Sequence, residues 1–256
     1  AIEAGFKNVN GDLILGLPLQ TKESFLHSLN KMIEIGPPTI TIYQHLIRKG
    51  TRFGQEADWG LLKDHSNKFI ADNYIVAKDL LAKHGYVQES LNRWALPAIG
   101  GYKQQENEFN LTPSIGFGPS ARSYALSGHY SSDYAVNSRL VKKSTKTWAD
   151  SIANGIFPIT TGFKLNHDEF KRRHVIFKLM TDEGIIDSQY TGDFGQSVHD
   201  EFGNQLQALV NKGLVVADGS GGLRYSPKGF QYSSAIAEHL FFSDVVKYRE
   251  DTYDVV

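Results

Sequence analysis

The sequence predicts an α/β protein, with a parallel sheet and its helices in the first part and a smaller, mainly helical domain in the last part. Two patterns support this fold class. Strand-like and helix-like segments alternate over residues 1–95, as in right-handed βαβ units. The order helix, helix, β-hairpin, helix then closes the chain, as in a winged helix. Phe157-Pro158 separates the two parts, which predicts domains 1–158 and 159–256.

The first domain begins with a strand at residues 9–15, which are apolar and partly β-branched and precede the stop signal Gly16-Leu17-Pro18. Thr21 is predicted to cap a helix that ends at Gly36. A second strand, a long helix and a third strand are predicted at residues 39–46, 64–84 and 86–91.

The second domain is predicted from its caps and its hairpin. Asn166 begins a helix that extends to about residue 181, and a second helix follows at residues 199–212. Residues 219–222, GSGG, predict the turn of a hairpin. Ser226-Pro227 places an N-cap and a first-turn proline at the start of the last helix.

Charge and composition exclude several functions. Winged helices often bind DNA, but residues 160–256 carry 10 Lys and Arg against 14 Asp and Glu, so phosphates would repel them, and the cluster 171–173 is too small to reverse this. No apolar run approaches the ~20 residues of a spanning helix. With a net charge of −1, the chain also lacks a polybasic anchor. We therefore predict no nucleic-acid partner and no membrane insertion.

Cysteine is absent, which excludes disulfides, thiolate metal sites and cysteine-ligated iron–sulfur clusters within these 256 residues. The nine histidines form no HExxH motif and no close pair, so no metal site is predicted. The chain opens on Ala1 with a segment that reads like the last turn of a helix, and we expect it to be part of a longer protein.

Candidate site residues lie where strands end, because ligands bind at the carboxyl ends of parallel strands. Asp12 is a carboxylate inside an apolar strand, and its burial requires either a structural hydrogen-bond partner or a ligand. Both interpretations remain open. Gln44 and His45 end the second predicted strand, and His45 is expected to be structural.

A glycine-rich turn provides the other candidates. Gly116, Gly118 and Ala121 formally match the dinucleotide fingerprint GxGxxA, but they follow the βαβ region, and Pro119 disturbs the usual turn. A plain tight turn, or a close approach to another ligand, fits these residues better. Arg122 is suited either to a bidentate contact with a substrate carboxylate or to a surface salt bridge.

Three motifs resemble, in the same order, segments of the oxygen-independent coproporphyrinogen III oxidase family of radical S-adenosylmethionine (SAM) enzymes. Residues 12–21, DLILGLPLQT, resemble the family's DLIxGLPxQT segment. Residues 40–44, ITIYQ, with Gly50-Thr51 resemble its next strand and loop. Residues 115–123, IGFGPSARS, resemble its GxGPSAxS turn, and residues 166–242 resemble its winged-helix-like C-terminal domain.

The resemblance implies the C-terminal part of a partial (β/α) barrel in which SAM binds at the strand ends. It implies that Asp12 contacts SAM, whereas for Arg122 the substrate carboxylate and the surface salt bridge both remain open. It also implies that the backbone around Gln44 and Leu46 lines the cofactor pocket, together with Gly116 and Gly118. No catalytic residue and no metal ligand is implied in this chain.

The function that the resemblance implies belongs to an intact parent, a cytoplasmic oxidoreductase of porphyrin and haem biosynthesis. Such an enzyme takes electrons from a donor, cleaves SAM to a 5′-deoxyadenosyl radical and decarboxylates coproporphyrinogen III or a related tetrapyrrole. The family's CxxxCxxC loop, which holds its [4Fe–4S] cluster, is absent here. We therefore expect a truncated chain that is inactive by itself and holds no cofactor tightly.

Three alternatives remain. The parent is a haem chaperone of the same family, or it is a radical SAM methyltransferase acting on haem. Outside the family, the chain is a nucleotide-binding protein that uses the turn around Gly116.

Overall fold

The computed structural model describes residues 1–47, 51–62, 65–97, 107–135, 138–181, 183–217 and 222–246. The chain divides into two compact units, Ala1–Lys103 and Gln104–Val256. The predicted domains 1–158 and 159–256 stay a prediction. No helix in the described part of the chain is long and apolar enough to cross a membrane.

The first unit is a four-stranded sheet with helices. Its elements are β1 (Asn10–Leu15), α1 (Lys22–Ile35), β2 (Thr39–Gln44), α2 (Arg52–Asp58), α3 (Asn67–Lys83), β3 (Val87–Gln88) and β4 (Arg93–Ala95). The strand order is β1-β2-β4-β3, with β1 and β2 parallel and β4 antiparallel to both of its neighbours. The core contains residues of α1, α3 and the sheet, among them Phe25, Leu29, Ile40, Leu81 and Trp94.

The predicted start and end of α1 are confirmed. The Thr21 side chain accepts a hydrogen bond from the backbone of Ser24, whose side chain accepts one in return from the backbone of Thr21. Gly36 then ends the helix in the left-handed conformation, at φ 67°.

The third predicted strand, at residues 86–91, is present as β3 but covers only Val87–Gln88. The Glu89 amide donates to the Arg93 carbonyl across a tight reversal, and the chain returns as β4 between β2 and β3. Residues 92–97 follow the predicted third strand and were assigned to no element, but Arg93–Ala95 form β4 inside the sheet. The signal was weak because β4 has three residues, one of which is a buried arginine.

The second unit begins with an antiparallel sheet that the sequence did not predict. Its strands are β5 (Arg122–Ala125), β6 (Gly128–Ser131) and β7 (Thr161–Lys164), in that order, and α4 (Ser138–Ala153) lies between β6 and β7 in the chain. A Cβ on Gly128 would lie 2.2 Å from the Phe163 carbonyl oxygen, so only glycine fits at this position of β6. Because glycine is uncommon inside strands, its presence made β6 hard to predict from the sequence.

The predicted elements, two helices, a hairpin and a closing helix, are confirmed in the rest of this unit, although an additional helix lies between the two predicted helices and residues 218–221 of the hairpin turn lie outside the described residues. The elements are α5 (His167–Lys178), α6 (Asp187–Phe194), α7 (Val198–Asn211), β8 (Val215–Ala217), β9 (Leu223–Tyr225), α8 (Pro227–Phe230), α9 (Ser233–Ile236) and a π-helical turn (Ala237–Phe241). Asn166 and Ser226 cap α5 and α8 as predicted, whereas α6 was not predicted. One apolar core joins these helices to the hairpin.

Candidate functional site

The loop after β1 is held by its own glutamine. Gln20 Oε1 accepts the Gly16 amide at 2.7 Å, and Gln20 Nε2 donates to the Ile14 carbonyl at 3.0 Å. Gly16 has a φ of 94°, and a Cβ there would lie 2.5 Å from Ile70 Cδ1. The motif therefore needs glycine and glutamine to turn the chain sharply at the carboxyl end of β1.

This loop is also strained. Leu19 has a φ of 63°, unusual for a branched side chain, and it is 96% exposed. Nε2 of His65 lies 3.0 Å from the Leu17 carbonyl oxygen and fastens the loop from the start of α3. Strained and exposed backbone at a strand end is a common feature of ligand sites.

Asp12 lies on the sheet face opposite α1. Side chains alternate along β1, and a Cβ on Gly11 would lie 2.4 Å from Met32 Sδ, so residues 11, 13 and 15 face the helices. The expectation that Asp12 is buried is wrong: β1 is an edge strand of this sheet, and the Asp12 side chain is exposed. The Asp12 Oδ1 atom accepts the Asn10 Nδ2–H at 2.6 Å.

A polar network on the same face was missed at the sequence level. The hydroxyls of Thr39 and Thr41 lie 3.0 and 2.9 Å from Asn10 Oδ1, and Arg93 Nε donates to Thr41 Oγ1 at 3.3 Å. Thr39, Thr41 and Arg93 are at most 7% exposed. Polar residues alternate with non-polar ones along residues 10–13 and 39–42, and this period of two is the signal that would have identified the face.

Gln44 and Leu46 lie at the carboxyl end of β2. Gln44 pairs with Leu15, and the His45 amide donates to the Leu15 carbonyl at 2.8 Å. The Gln44 side chain alternates with that of Tyr43 and so lies on the sheet face away from Asp12. Only the backbone of Gln44 is suited to act together with the Asp12 carboxylate.

The turn around Gly116 lies in the second unit. A Cβ on Gly116 would lie 2.5 Å from the Arg122 carbonyl oxygen, and the Gly116 amide already donates to Ser123 Oγ at 3.0 Å. This glycine allows a close approach of the chain to itself. Gly118 has a φ of 111° and no atom within 4 Å of its Cβ position, so it leaves open space. Arg122 is exposed and pairs with Ser131 at the start of β5.

The donor sets can be compared with the implied cofactors. Asp12 offers an exposed carboxylate on the strand that leads into the strained loop, and a carboxylate fits the hydroxyl and ammonium groups of SAM. The chain fits a cysteine-ligated [4Fe–4S] cluster poorly, because it contains no cysteine. In the described ranges, no group of three or more His, Asp or Glu residues is arranged to hold a metal ion.

Comparison with known proteins gives a consistent result. Residues 165–232 match the HemN C-terminal domain family. The chain is 24% identical to the heme chaperone HemW of Lactococcus lactis, over 95% of this chain and 61% of that protein. It is 27% identical to the oxygen-independent coproporphyrinogen III oxidase of Synechocystis, over 89% of this chain and 50% of that one.

A solved structure extends the likeness to the fold. Coproporphyrinogen III oxidase (HemN) from Escherichia coli, described as a radical SAM enzyme, superimposes with a TM-score of 0.72 at 23% identity. The alignment covers 94% of this chain and 56% of that one. The resemblance to the coproporphyrinogen III oxidase-like family is confirmed. The chain thus spans about half to three fifths of its HemN and HemW relatives, and its α5–α8 region lies within the HemN C-terminal domain match.

Proposed function

We propose that this chain forms the cofactor-facing and tetrapyrrole-facing part of a cytoplasmic radical SAM protein. The reaction that we assign to the whole protein is the oxygen-independent oxidative decarboxylation of coproporphyrinogen III or a closely related tetrapyrrole. The single observation that carries the proposal is the position of Asp12. It lies in the motif DLILGLPLQT, with an exposed side chain, and one of its carboxylate oxygens is held by Asn10.

The residues of the chain have distinct tasks in this proposal. Asp12 accepts hydrogen bonds from SAM, and Gln20 holds the loop that shapes the end of β1. Arg122, an exposed cation, meets a carboxylate of the tetrapyrrole. SAM, when bound beside a reduced cluster, supplies the radical chemistry. The thiolates for that cluster and the electron donor have to come from outside these 256 residues.

The cofactor assignment is tested by NMR titration of the 256-residue chain with SAM at millimolar concentration, which detects weak binding. We expect the amide shifts to concentrate around Asp12, Gln44 and Leu46. Asp12→Asn removes a charge-assisted acceptor and is expected to weaken binding at least about tenfold. Asp79→Asn, on the exposed side of α3, is the matched control and should leave binding unchanged. Equal affinity in both variants would refute the assignment.

A haem chaperone is the second candidate, because both Lactococcus lactis and Bacillus subtilis relatives carry that name. A haem chaperone and a coproporphyrinogen oxidase are expected to bind different tetrapyrroles. We expect coproporphyrin III, a stable stand-in for the reduced substrate, to bind the chain and to bind more weakly after Arg122→Ala. Stoichiometric retention of haemin through gel filtration, with no binding of coproporphyrin III, would favour the chaperone instead.

A further inference from the structure

The polar face of the first sheet, formed by Asn10, Thr39, Thr41 and Arg93, contains a chain of hydrogen bonds in which every donor points towards Asn10. Arg93 Nε–H donates to Thr41 Oγ1, so the Thr41 hydroxyl proton is free to point at Asn10 Oδ1, 2.9 Å away. The Thr39 hydroxyl lies 3.0 Å from the same Oδ1 atom. The chain thus starts at a buried cation on β4, crosses β2 and reaches β1.

These contacts fix the orientation of the Asn10 amide. Its oxygen accepts from the Thr41 hydroxyl and shares the Thr39 hydroxyl proton with the Val9 carbonyl, so its nitrogen faces Asp12, and Nδ2 lies 2.6 Å from Asp12 Oδ1. The flipped amide would set its oxygen against the carboxylate, acceptor against acceptor. Asn10 therefore has one stable orientation, and in that orientation it donates to Asp12.

The consequence for Asp12 is a carboxylate with one oxygen held and one available. Oδ1 is bound by Asn10, and Oδ2 has no hydrogen-bond partner among the described residues. An exposed aspartate normally samples several rotamers, and a ligand that needs one of them has to overcome that freedom. Here the strand face supplies the restriction before any ligand arrives.

We propose that Asn10 is a positioning residue that holds the Asp12 carboxylate ready for a ligand group that donates hydrogen bonds, such as a ribose hydroxyl or an ammonium. This rests on the proposed function, in which SAM is that ligand. Asn10 touches no ligand itself. It acts through Asp12, and Thr39, Thr41 and Arg93 act through Asn10.

The test is a double-mutant cycle on the 256-residue chain, with SAM as the probe and NMR shifts as the readout. Asn10→Ala is expected to raise the dissociation constant about three- to tenfold, because Asp12 regains its rotamers. In the Asp12→Ala background, the same change should have no further effect. Asn30→Ala is the matched control, since Asn30 is an exposed helical asparagine bound only to its own backbone turn.

The outcomes separate the two levels of the proposal. Asp12→Ala weakening SAM while Asn10→Ala does not would overturn the positioning role and leave the proposed function intact. Asn10→Ala weakening SAM equally in the Asp12→Ala background would also overturn it, because the effect would not pass through Asp12. If Asp12→Ala leaves the affinity unchanged, the cofactor assignment fails and the positioning role fails with it.

A second measurement needs neither ligand nor an Asn10 variant. The two side-chain amide protons of an asparagine are inequivalent, and the hydrogen bond from Asn10 to the Asp12 carboxylate should increase their NMR separation. We expect their NMR separation to fall in Asp12→Ala, whereas the Asn30 amide pair stays unchanged. Asn10 amide signals that do not respond to loss of Asp12 would overturn the proposed contact.

Discussion

Two carboxylates of the molecule, Glu201 and Asp12, are each oriented by neighbouring side chains, but their surroundings differ. Glu201 in α7 accepts a hydrogen bond from the Lys171 ammonium on one oxygen and from the Tyr190 hydroxyl on the other. Asp12 in β1 accepts one from Asn10 on one oxygen, and its second oxygen has no hydrogen-bond partner among the described residues. Both carboxylates are oriented by neighbours, but only Glu201 is saturated.

Burial follows the same division. The side chains of Lys171 and Glu201 are 11% and 19% exposed, and Tyr190 is fully buried, whereas Asp12 is exposed. Burial acts to raise the pKa of Glu201, but the hydrogen bonds from Lys171 and Tyr190 outweigh it and hold that pKa below its usual range. A saturated carboxylate stabilises the fold, and an unsaturated one is available to a ligand.

The largest expected effect comes from opening the saturated network. Glu201→Ala leaves the Lys171 ammonium and the Tyr190 hydroxyl without their acceptor, which should cost about 3 kcal/mol of the free energy of unfolding in urea. Glu183→Ala is the matched control, because its contact with Lys178 is long, at 3.8 Å, and exposed, and it should cost less than about 0.5 kcal/mol. Similar losses in both variants would show that the Glu201 network is not a closed structural unit.

Acid should weaken the same region through His174. Burial, with a smaller contribution from Lys178, lowers the pKa of His174 to about 4. The unfolded chain therefore binds a proton near pH 6.5, whereas the folded chain binds it only near pH 4. The free energy of unfolding is therefore fully retained above pH 6.5 and decreases as the pH falls towards 4. We expect a loss of about 2 kcal/mol between pH 7 and pH 4.5 in urea unfolding.

His174→Phe isolates this titration from that of the carboxylates. The ring lies 5.4 and 5.3 Å from the rings of Tyr190 and Phe194, so phenylalanine keeps the aromatic packing. Most of the loss between pH 6.5 and 4.5 should disappear in this variant. An unchanged pH profile would assign the loss to other groups.

The comparison also shows which features the sequence can predict. The caps at Thr21, Asn166 and Ser226 were predicted correctly because a cap depends on residues three positions apart. Strand β4 and the burial of Arg93 were not predicted, because both depend on a partner strand some fifty residues away.

The candidate site, like the fold, could be predicted only in part from the sequence. The motif identified Asp12 as a candidate but gave it the wrong environment, since an apolar strand read alone does not reveal which of its faces is covered. The network from Arg93 to Asn10 joins three strands, and only the register of those strands brings it together.

The stability of the loop that follows β1, the strand of Asp12, should be sensitive to a single added methyl group. Gly16→Ala adds a Cβ that would lie 2.5 Å from Ile70 Cδ1, at a φ of 94°, and we expect a loss of about 1.5–2 kcal/mol. Gly85→Ala is the matched control, because Gly85 has a φ of 84° but open space around its Cβ position. It should cost about 1 kcal/mol. Equal losses of stability in the two variants would mean that the Ile70 side chain moves away from the added methyl group without a measurable free-energy cost.

The smallest expected effect is at Asp12 itself, and it completes the comparison. Asp12→Ala removes one exposed hydrogen bond and leaves the hydroxyls of Thr39 and Thr41 on Asn10, so unfolding in urea should change by at most about 0.5 kcal/mol. Fluorescence of the buried Trp94 reports on this unit. If Asp12→Ala has near-native stability, any loss of SAM affinity in this variant can be attributed to the lost contact with the ligand and not to unfolding. A cost as large as that of Glu201→Ala would instead make Asp12 a structural residue, and the difference between the two carboxylates would disappear.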